Sequence, residues 1–361
     1  MRYRILAINP GSTSTKIAVY DNEKQILVKG IDHSASEIAK YDRVQDQFDM
    51  RKEEVLKVLR ENDIDVNTLS AVVGRGGLLP PVKSGAYLVN DEMLDRLINR
   101  PVLEHASNLG AIISYEIAKP LGIDAYIYDS VAVDELSDIA RPSGIEGMDR
   151  SSLSHALNSR AMAIKYAKEN DKKYEELNLI VAHLGGGISI SVHEKGKMVD
   201  IVSDDEGPFS PERSGRVQCK KIIDRCFSAN YTHREMLKMI RGKGGIVSYL
   251  NTVDVREVEK MINEGNEKAK LIHDAMTYQI SKGIGELATV VEGKVDAIIL
   301  TGGIAYSNMI TSNIKKRVEF ISDVVIMPGE NELESLSLGT LRVLTGEEKA
   351  REYVETTLAK A

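Results

Sequence analysis

Apolar residues recur along this chain with two different periods, and the way they alternate lays out its elements. A short run, Arg4-Ile-Leu-Ala-Ile8, is followed by the small-residue stretch Asn9-Pro-Gly-Ser-Thr-Ser-Thr-Lys16 and then by Ile17-Ala-Val-Tyr20. The turn pair Asp21-Asn22 leads into Gln25-Ile-Leu-Val28. Runs of this length, bounded by turn residues, predict strands joined as antiparallel hairpins. The same order returns later: Leu179-Ile-Val-Ala-His183, a tight turn at Gly185, Gly186 and Gly187, the alternating Ile188-Ser-Ile-Ser-Val192, a turn at Glu194-Lys-Gly196, and an apolar run over 198–202. Placing Asn9 on His183 puts Gly11 on Gly185, and duplication of a strand–loop–strand unit predicts two similar lobes. Strand-length runs at 71–73, 125–128, 295–300 and 324–326 are interspersed with helical periodicity at 51–62, 91–98, 109–119, 151–168 and 336–358. In the longest helical stretch, 269–291, Ile272, Met276, Ile280, Ile284, Leu287 and Val291 form one apolar stripe, read as packing. The fold class expected is α/β.

Length sharpens this picture. At 361 residues the chain exceeds what one core usually spans. The lobes expected are 1–150 with 336–361, the last helix returning to the first lobe, and 151–335. A net charge of −7 without a basic tract argues against nucleic acid as the main partner. No apolar run approaches membrane length, and the N-terminus turns polar too early for a signal peptide, so a cytoplasmic protein without a membrane partner is expected. Cys219 and Cys226 are the only cysteines, have no CxxC spacing, and are read as reduced and structural.

Candidate chemistry gathers at the glycine loops. The loop 9–16 leads from strand to strand, whereas the two common glycine-rich phosphate loops open a helix. Backbone N–H groups with Ser12, Thr13, Ser14 and Lys16 could cradle an anion, and Gly11 lets the backbone come close. Taken alone, the loop reads equally well as an ordinary Ser/Thr-rich hairpin turn. A third loop, Leu300-Thr-Gly-Gly-Ile-Ala-Tyr-Ser307, carries Gly302, Gly303 and Ile304 before a helical pattern, whose N-terminus would suit a phosphate or a nucleoside edge. Arg75 stands between glycines at a strand mouth, Asp129 at a strand end, His155 in the first turn of the helix 151–168, and Arg213 in a Gly/Pro-rich loop. Singly these read as a solvated arginine, a cap acid and a half-buried histidine; three glycine loops together fit a cleft enzyme better than three accidental turns. Gly242-Lys-Gly-Gly245 reads as a connector between helices. Asp254 and Arg256, if extended, would point the same way.

As a constellation the chain resembles the acetate and butyrate kinase family, within the actin/Hsp70/sugar-kinase group of ATP-binding folds, over essentially its full length. The resemblance rests on Asn-x-Gly-Ser-Thr-Ser-x-Lys at 9–16, where the related sugar kinases and chaperones usually begin with aspartate, and on His-x-Gly-x-Gly at 183–187. It implies two duplicated RNase H-like/actin-like ATPase lobes with a nucleotide cleft between them, ATP and Mg2+ as cofactors, a short-chain fatty acid as small-molecule substrate, and a homo-oligomer, with dimers formed through the second lobe. By the same resemblance Asn9, Gly11, Ser12, Ser14, Lys16, His183, Gly185, Gly186, Gly187, Asp254, Arg256, Gly302, Gly303 and Ile304 serve the nucleotide. Arg75 and Arg213 match the two active-site arginines, Asp129 the active-site aspartate, His155 the histidine near the transferred phosphoryl, and His105 another cleft histidine. Glu332, with Glu330 and Glu334 in competing register, matches the metal-linked glutamate and would share Mg2+ with Asp129. Acetate kinases have Asn where this chain has Gly186, and Gly-Glu-Asn where it has Ala305-Tyr-Ser307. Both departures resemble the butyrate kinase branch and imply a longer aliphatic acid. Acetate, propionate or a branched acid are the alternatives. A non-catalytic ATP-gated protein is the alternative of another class, although it would need no acyl-acceptor arginines. Neither GxGxxG after a strand nor GxxxxGK[ST] occurs, which excludes the usual dehydrogenase and P-loop readings.

Overall fold

The computed structural model describes residues 1–203 and 205–355. The chain divides into two compact units, one of Met1–Asp134 with Asn331–Ala361 and one of Glu135–Glu330. Residues 135–150 therefore group with the second unit, held there by the Ser137 N–H donating to Val199 O at 2.9 Å and by Arg150 bonding Glu206 at 2.9 Å and Asp200 at 3.0 Å.

The strands are β1 Arg4–Pro10, β2 Ser14–Asp21, β3 Lys24–Asp32, β4 Ala71–Arg75, β5 Ala86–Leu88, β6 Asp124–Tyr128, β7 Asn178–Leu184, β8 Ile188–Glu194, β9 Lys197–Val202, β10 Ala297–Gly302, β11 Val324–Pro328 and β12 Arg351–Glu352. The first unit holds a 7-stranded sheet ordered β12-β5-β6-β4-β1-β2-β3, the second a 5-stranded sheet ordered β11-β10-β7-β8-β9. Reading β3-β2-β1-β4-β6 against β9-β8-β7-β10-β11 exposes the duplication. In each unit an antiparallel meander is extended, on the far side of its first strand, by two parallel strands. The β1–β2 ladder places Asn9 opposite Lys16 and the β7–β8 ladder places His183 opposite Ser189, each one pair before its ladder ends. The two expected glycine loops thus occupy the same place in the two sheets, as in a duplicated RNase H-like ATPase fold.

Close backbone packing fixes the strand end that carries Arg75. The helix Asn108–Ala118 crosses β4 where a Cβ on Gly74 would lie 2.1 Å from Gly110 O, and one on Gly110 2.2 Å from Arg75 O. In the second unit Ile272, Met276, Ile280, Ile284 and Leu287, on the helix Glu267–Ala288, pack with Ile190, Val202 and Leu300 in one core. The apolar stripe is packing, as expected.

Four local expectations need correction. The last helix is Glu332–Thr345 rather than 336–358, because Gly346 takes a left-handed cap at φ 81 and releases the chain into β12, parallel to β5. Residues 356–358 of that expectation lie outside the described residues. The helix expected at 151–168 begins at Ala156, so His155 precedes its first turn, its N–H turned to Ser189 Oγ at 3.3 Å. Asp254 and Arg256 do not share one extended stretch: Asp254 is extended but caps the helix Val255–Asn263, accepting from the N–H of the helical Arg256. Cys219 and Cys226 are free but exposed, on the helix Cys219–Cys226, so they do not serve packing. Among the described residues no helix is long and apolar enough to cross a membrane.

The start of β1 is tied down electrostatically. Arg4 Nε bonds Asp21 Oδ1 at 2.8 Å, with the two side chains only 16% and 13% exposed, and this bond above all holds the Asp21 carboxyl down to about 2. A lowered carboxyl contributes stability above its unfolded value and loses it as pH falls through the folded one. Asp21→Asn should therefore cost stability at neutral pH, with the difference from the parent shrinking as pH falls from 3.8 toward about 2. Urea midpoints across that range check it; a difference independent of pH would contradict it.

Candidate active site

In the first unit the mouth of β1 and β4 collects three of the expected groups. Arg75 Nη1 lies 2.8 Å from Glu332 Oε1 and 3.5 Å from Asn9 Oδ1, while the Asn9 amide donates to Glu332 Oε2. Arg75 and Glu332 are 30% and 27% exposed, so the pair is open on one side. Of the three candidate glutamates only Glu332 joins this cluster; Glu330 pairs with His183, and Glu334 accepts from Asn331. Pairing of β4 with β6 sets Tyr128 opposite Arg75, so Asp129 leaves the sheet next to it. Asp129 is 3% exposed, sits at φ 40, and accepts from the Gly85 N–H at 2.7 Å. A non-glycine residue at positive φ is uncommon and marks a constrained position. His105 shares a 2.8 Å hydrogen bond with Ser107, and burial, then the charge of Arg75, push its pKa down. In the loop itself, Gly11 N–H closes on Ser14 O at 2.7 Å; Ser12 and Lys16 are exposed, and Ser14 is partly so.

In the second unit the imidazoles of His155 and His183 stack, centroids 3.9 Å apart and planes 11° from parallel. His155 Nδ1 lies 2.9 Å from Ser189 Oγ, on the strand just after the glycine loop. His183 is held on both nitrogens: the Asn158 amide donates to Nδ1 at 2.9 Å, and Nε2 faces Glu330 Oε1 at 2.9 Å. Such bonding places the His183 proton on Nε2. The same Asn158 amide donates to Thr301 Oγ1 at 3.2 Å, linking β10 to the set.

Glycine is needed at the loop for space. A Cβ on Gly187 would stand 2.9 Å from Arg213 Nε, and one on Gly185 3.0 Å from both Glu330 Oε1 and His183 Nε2. The loop bearing Arg213 is fastened to the glycine loop by Ser210 Oγ donating to Gly186 O. Burial, then nearby Arg241, lower the pKa of Arg213. Gly302, at φ 88, touches the Leu184 backbone, so the third glycine loop lies beside the second; Gly303 is exposed and Ile304 follows in a 3-10 turn. His155, His183, Gly185, Gly187 and Arg213 are thus assembled in one unit, and Asn9, Arg75 and Glu332 in the other.

Asp254 and Arg256 join neither set by direct contact. Their side chains bond each other at 2.6 Å at the start of the helix Val255–Asn263, the Arg256 side chain above all drawing Asp254 down to about 2. Sequence reasoning missed Asn158, Ser189, Glu330 as the partner of His183, and Arg51. Spacing could have pointed to Asn158, three residues after His155 in the first turn of the helix that His155 precedes. Arg51 sits within the helix Phe48–Glu61 among other charged residues, and nothing local marks it. It is nonetheless 0% exposed, with its guanidinium under the loop 9–16.

The sequence profile of the acetokinase family matches residues 153–336. Butyrate kinase 1 of Clostridium acetobutylicum is 54% identical over 353 residues, 97% of this chain and 99% of that protein. Among solved structures, acetate kinase of Porphyromonas gingivalis aligns with a TM-score of 0.80 at 18% identity, covering 95% of this chain and 100% of the other. A propionate kinase of Francisella tularensis aligns with a TM-score of 0.73 at 17% identity, covering 93% and 98%. The two structural likenesses establish a common fold.

Proposed function

We propose that this chain, which belongs to the acetokinase family, transfers the γ-phosphoryl group of ATP reversibly to the carboxylate of butyrate, giving butanoyl phosphate and ADP. Its near-full-length likeness to a butyrate kinase carries the reading. An acid carboxylate attacks the γ-phosphorus, the bond from phosphorus to the ADP oxygen breaks, and its electron pair leaves with ADP. The acid is already ionised at neutral pH, so no strong general base is needed. What the protein must supply is alignment and neutralisation of the charge spread over the equatorial oxygens of a loose transition state. Arg75 and Arg213 suit this because a guanidinium stays charged and offers a planar fork to carboxylate or phosphoryl. His155, held by Ser189 at Nδ1, would add a hydrogen bond to an equatorial oxygen. The loops 9–16 and 185–187 take the nucleotide phosphates through backbone N–H groups, with Gly302, Gly303 and Ile304 at the nucleoside side and Asp254 with Arg256 near the nucleotide.

Magnesium fits the donor set. Among the described residues no group of three or more His, Cys, Asp or Glu is placed to hold a metal. Mg2+ held by one or two carboxylates, waters and substrate phosphates needs none. Asp129 and Glu332 would hold it, and when bound it would offset charge on the phosphates. A homodimer and a cytoplasmic location complete the proposal.

Trapping acyl phosphate with hydroxylamine across straight and branched acids of two to six carbons tests the substrate. A maximum at butyrate is expected; a maximum at acetate, propionate or isobutyrate would reassign it. No acyl hydroxamate with any acid would favour an ATP-gated protein.

A further inference from the structure

The loop 9–16 rests on a buried cation that has no anionic partner among the described residues. Arg51 is 0% exposed, and its guanidinium is bonded all round to neutral oxygens. Nη1 donates to Gly11 O at 2.8 Å, Ser14 O at 3.2 Å and Thr15 Oγ1 at 3.2 Å. Nη2 donates to Ser12 O at 3.2 Å and Gln47 Oε1 at 2.8 Å, and Nε donates to Gln47 Oε1 at 3.2 Å. Among the described residues no carboxylate pairs with it, and burial lowers its pKa, although a buried charge is costly unless something offsets it.

The geometry shows where an offset would come from. The carbonyls of Gly11 and Ser12 point at Arg51, the carbonyl of Thr13 accepts from the His33 N–H at 2.9 Å, and that of Ser14 accepts from Gly11. In a trans peptide the N–H points opposite to the C=O. The N–H groups of Ser12 and Thr13 therefore face away from Arg51, on the exposed side of the loop, and among the described residues neither donates to a protein group. Two adjacent outward N–H groups backed by a buried positive charge make an anion-binding concavity.

We infer that Arg51 is a positioning residue for the phosphoryl-transfer site: it draws the loop carbonyls inward, turns the Ser12 and Thr13 amides toward a nucleotide phosphate, and leaves its own charge to be offset by that phosphate. The inference rests on the proposed kinase reading for the identity of the anion, while the buried cation and the outward amides stand without it. A clamp serving structure alone would work as well with a carboxylate at position 47, which would give Arg51 a bidentate salt bridge in the same place.

Gln47→Glu therefore separates the roles in the full-length protein. Thermal stability should be kept or raised, while affinity for ADP relative to adenosine, measured by calorimetry, falls about tenfold or more, the size expected of one charge felt through partly buried protein. Arg51→Gln should lower the same ratio from the other partner, and Arg51→Lys, which keeps the charge without the fork, should recover part of it. An unchanged ADP-to-adenosine ratio in folded Gln47→Glu or Arg51→Gln would overturn the inference. Failure of the unaltered protein to bind ADP at all would instead sink the kinase reading.

Discussion

Arg75→Ala is expected to lower kcat by about a hundredfold or more while leaving the protein folded. The two effects separate because Arg75 plays two parts of unequal weight. In the resting protein it pairs with Glu332 across 2.8 Å with both side chains more than a quarter exposed. Such a pair contributes about 1 kcal/mol or less to stability. In the proposed reaction the same guanidinium meets charge that develops only as the phosphoryl moves, and that interaction acts on the rate. Arg213→Ala should show a comparable loss. Steady-state kinetics beside a urea midpoint checks both; near-normal turnover in either variant would remove its assignment, and loss of folding in Arg75→Ala would mean that the contact with Glu332 and Asn9 is chiefly structural.

The second large effect is expected at Gly302, where Gly302→Ala should destabilise the protein by about 3 kcal/mol or more. Two independent strains add. Gly302 sits at φ 88 and ψ 172, a region nearly closed to other residues, at roughly 1–3 kcal/mol. A Cβ there would also lie 2.4 Å from Leu184 O and 2.8 Å from Leu184 N, where rigid backbone must give, and overpacking of this kind costs roughly 1–3 kcal/mol more. Since Leu184 precedes Gly185, the displacement falls on the glycine loop, and nucleotide affinity should drop with stability. Urea denaturation with a parallel calorimetric titration of ADP tests this. A variant as stable as the parent would show that β7 and β10 are not locked together at this point.

These two residues also mark what the chain reveals when read as letters. Gly302 was legible because glycine follows a buried run and precedes a helix, so the local pattern carries its meaning. The paired hairpins were legible for the same reason, and the match of Asn9 to His183 is realised in the ladders that end β1 and β7. Apolar periodicity is less informative about ends. It ran through Gly346 to 358, whereas the left-handed cap there stops the helix. It also placed His155 inside a helix that starts one residue later. Contacts across long stretches of chain were not legible. Three glutamates spaced by two residues look alike in sequence, and only the meeting of Glu332 with Asn9 and Arg75 distinguishes them. Arg51 reaches a loop 40 residues earlier, and no local pattern points that way.

Phosphorus NMR of the purified protein with ATP, Mg2+ and butyrate tests the central claim most directly. Acyl phosphate and ADP should appear in equal amounts, with the signal reversing when butanoyl phosphate and ADP are supplied instead. ADP accompanied only by inorganic phosphate, or ATP left unconsumed, would contradict the account.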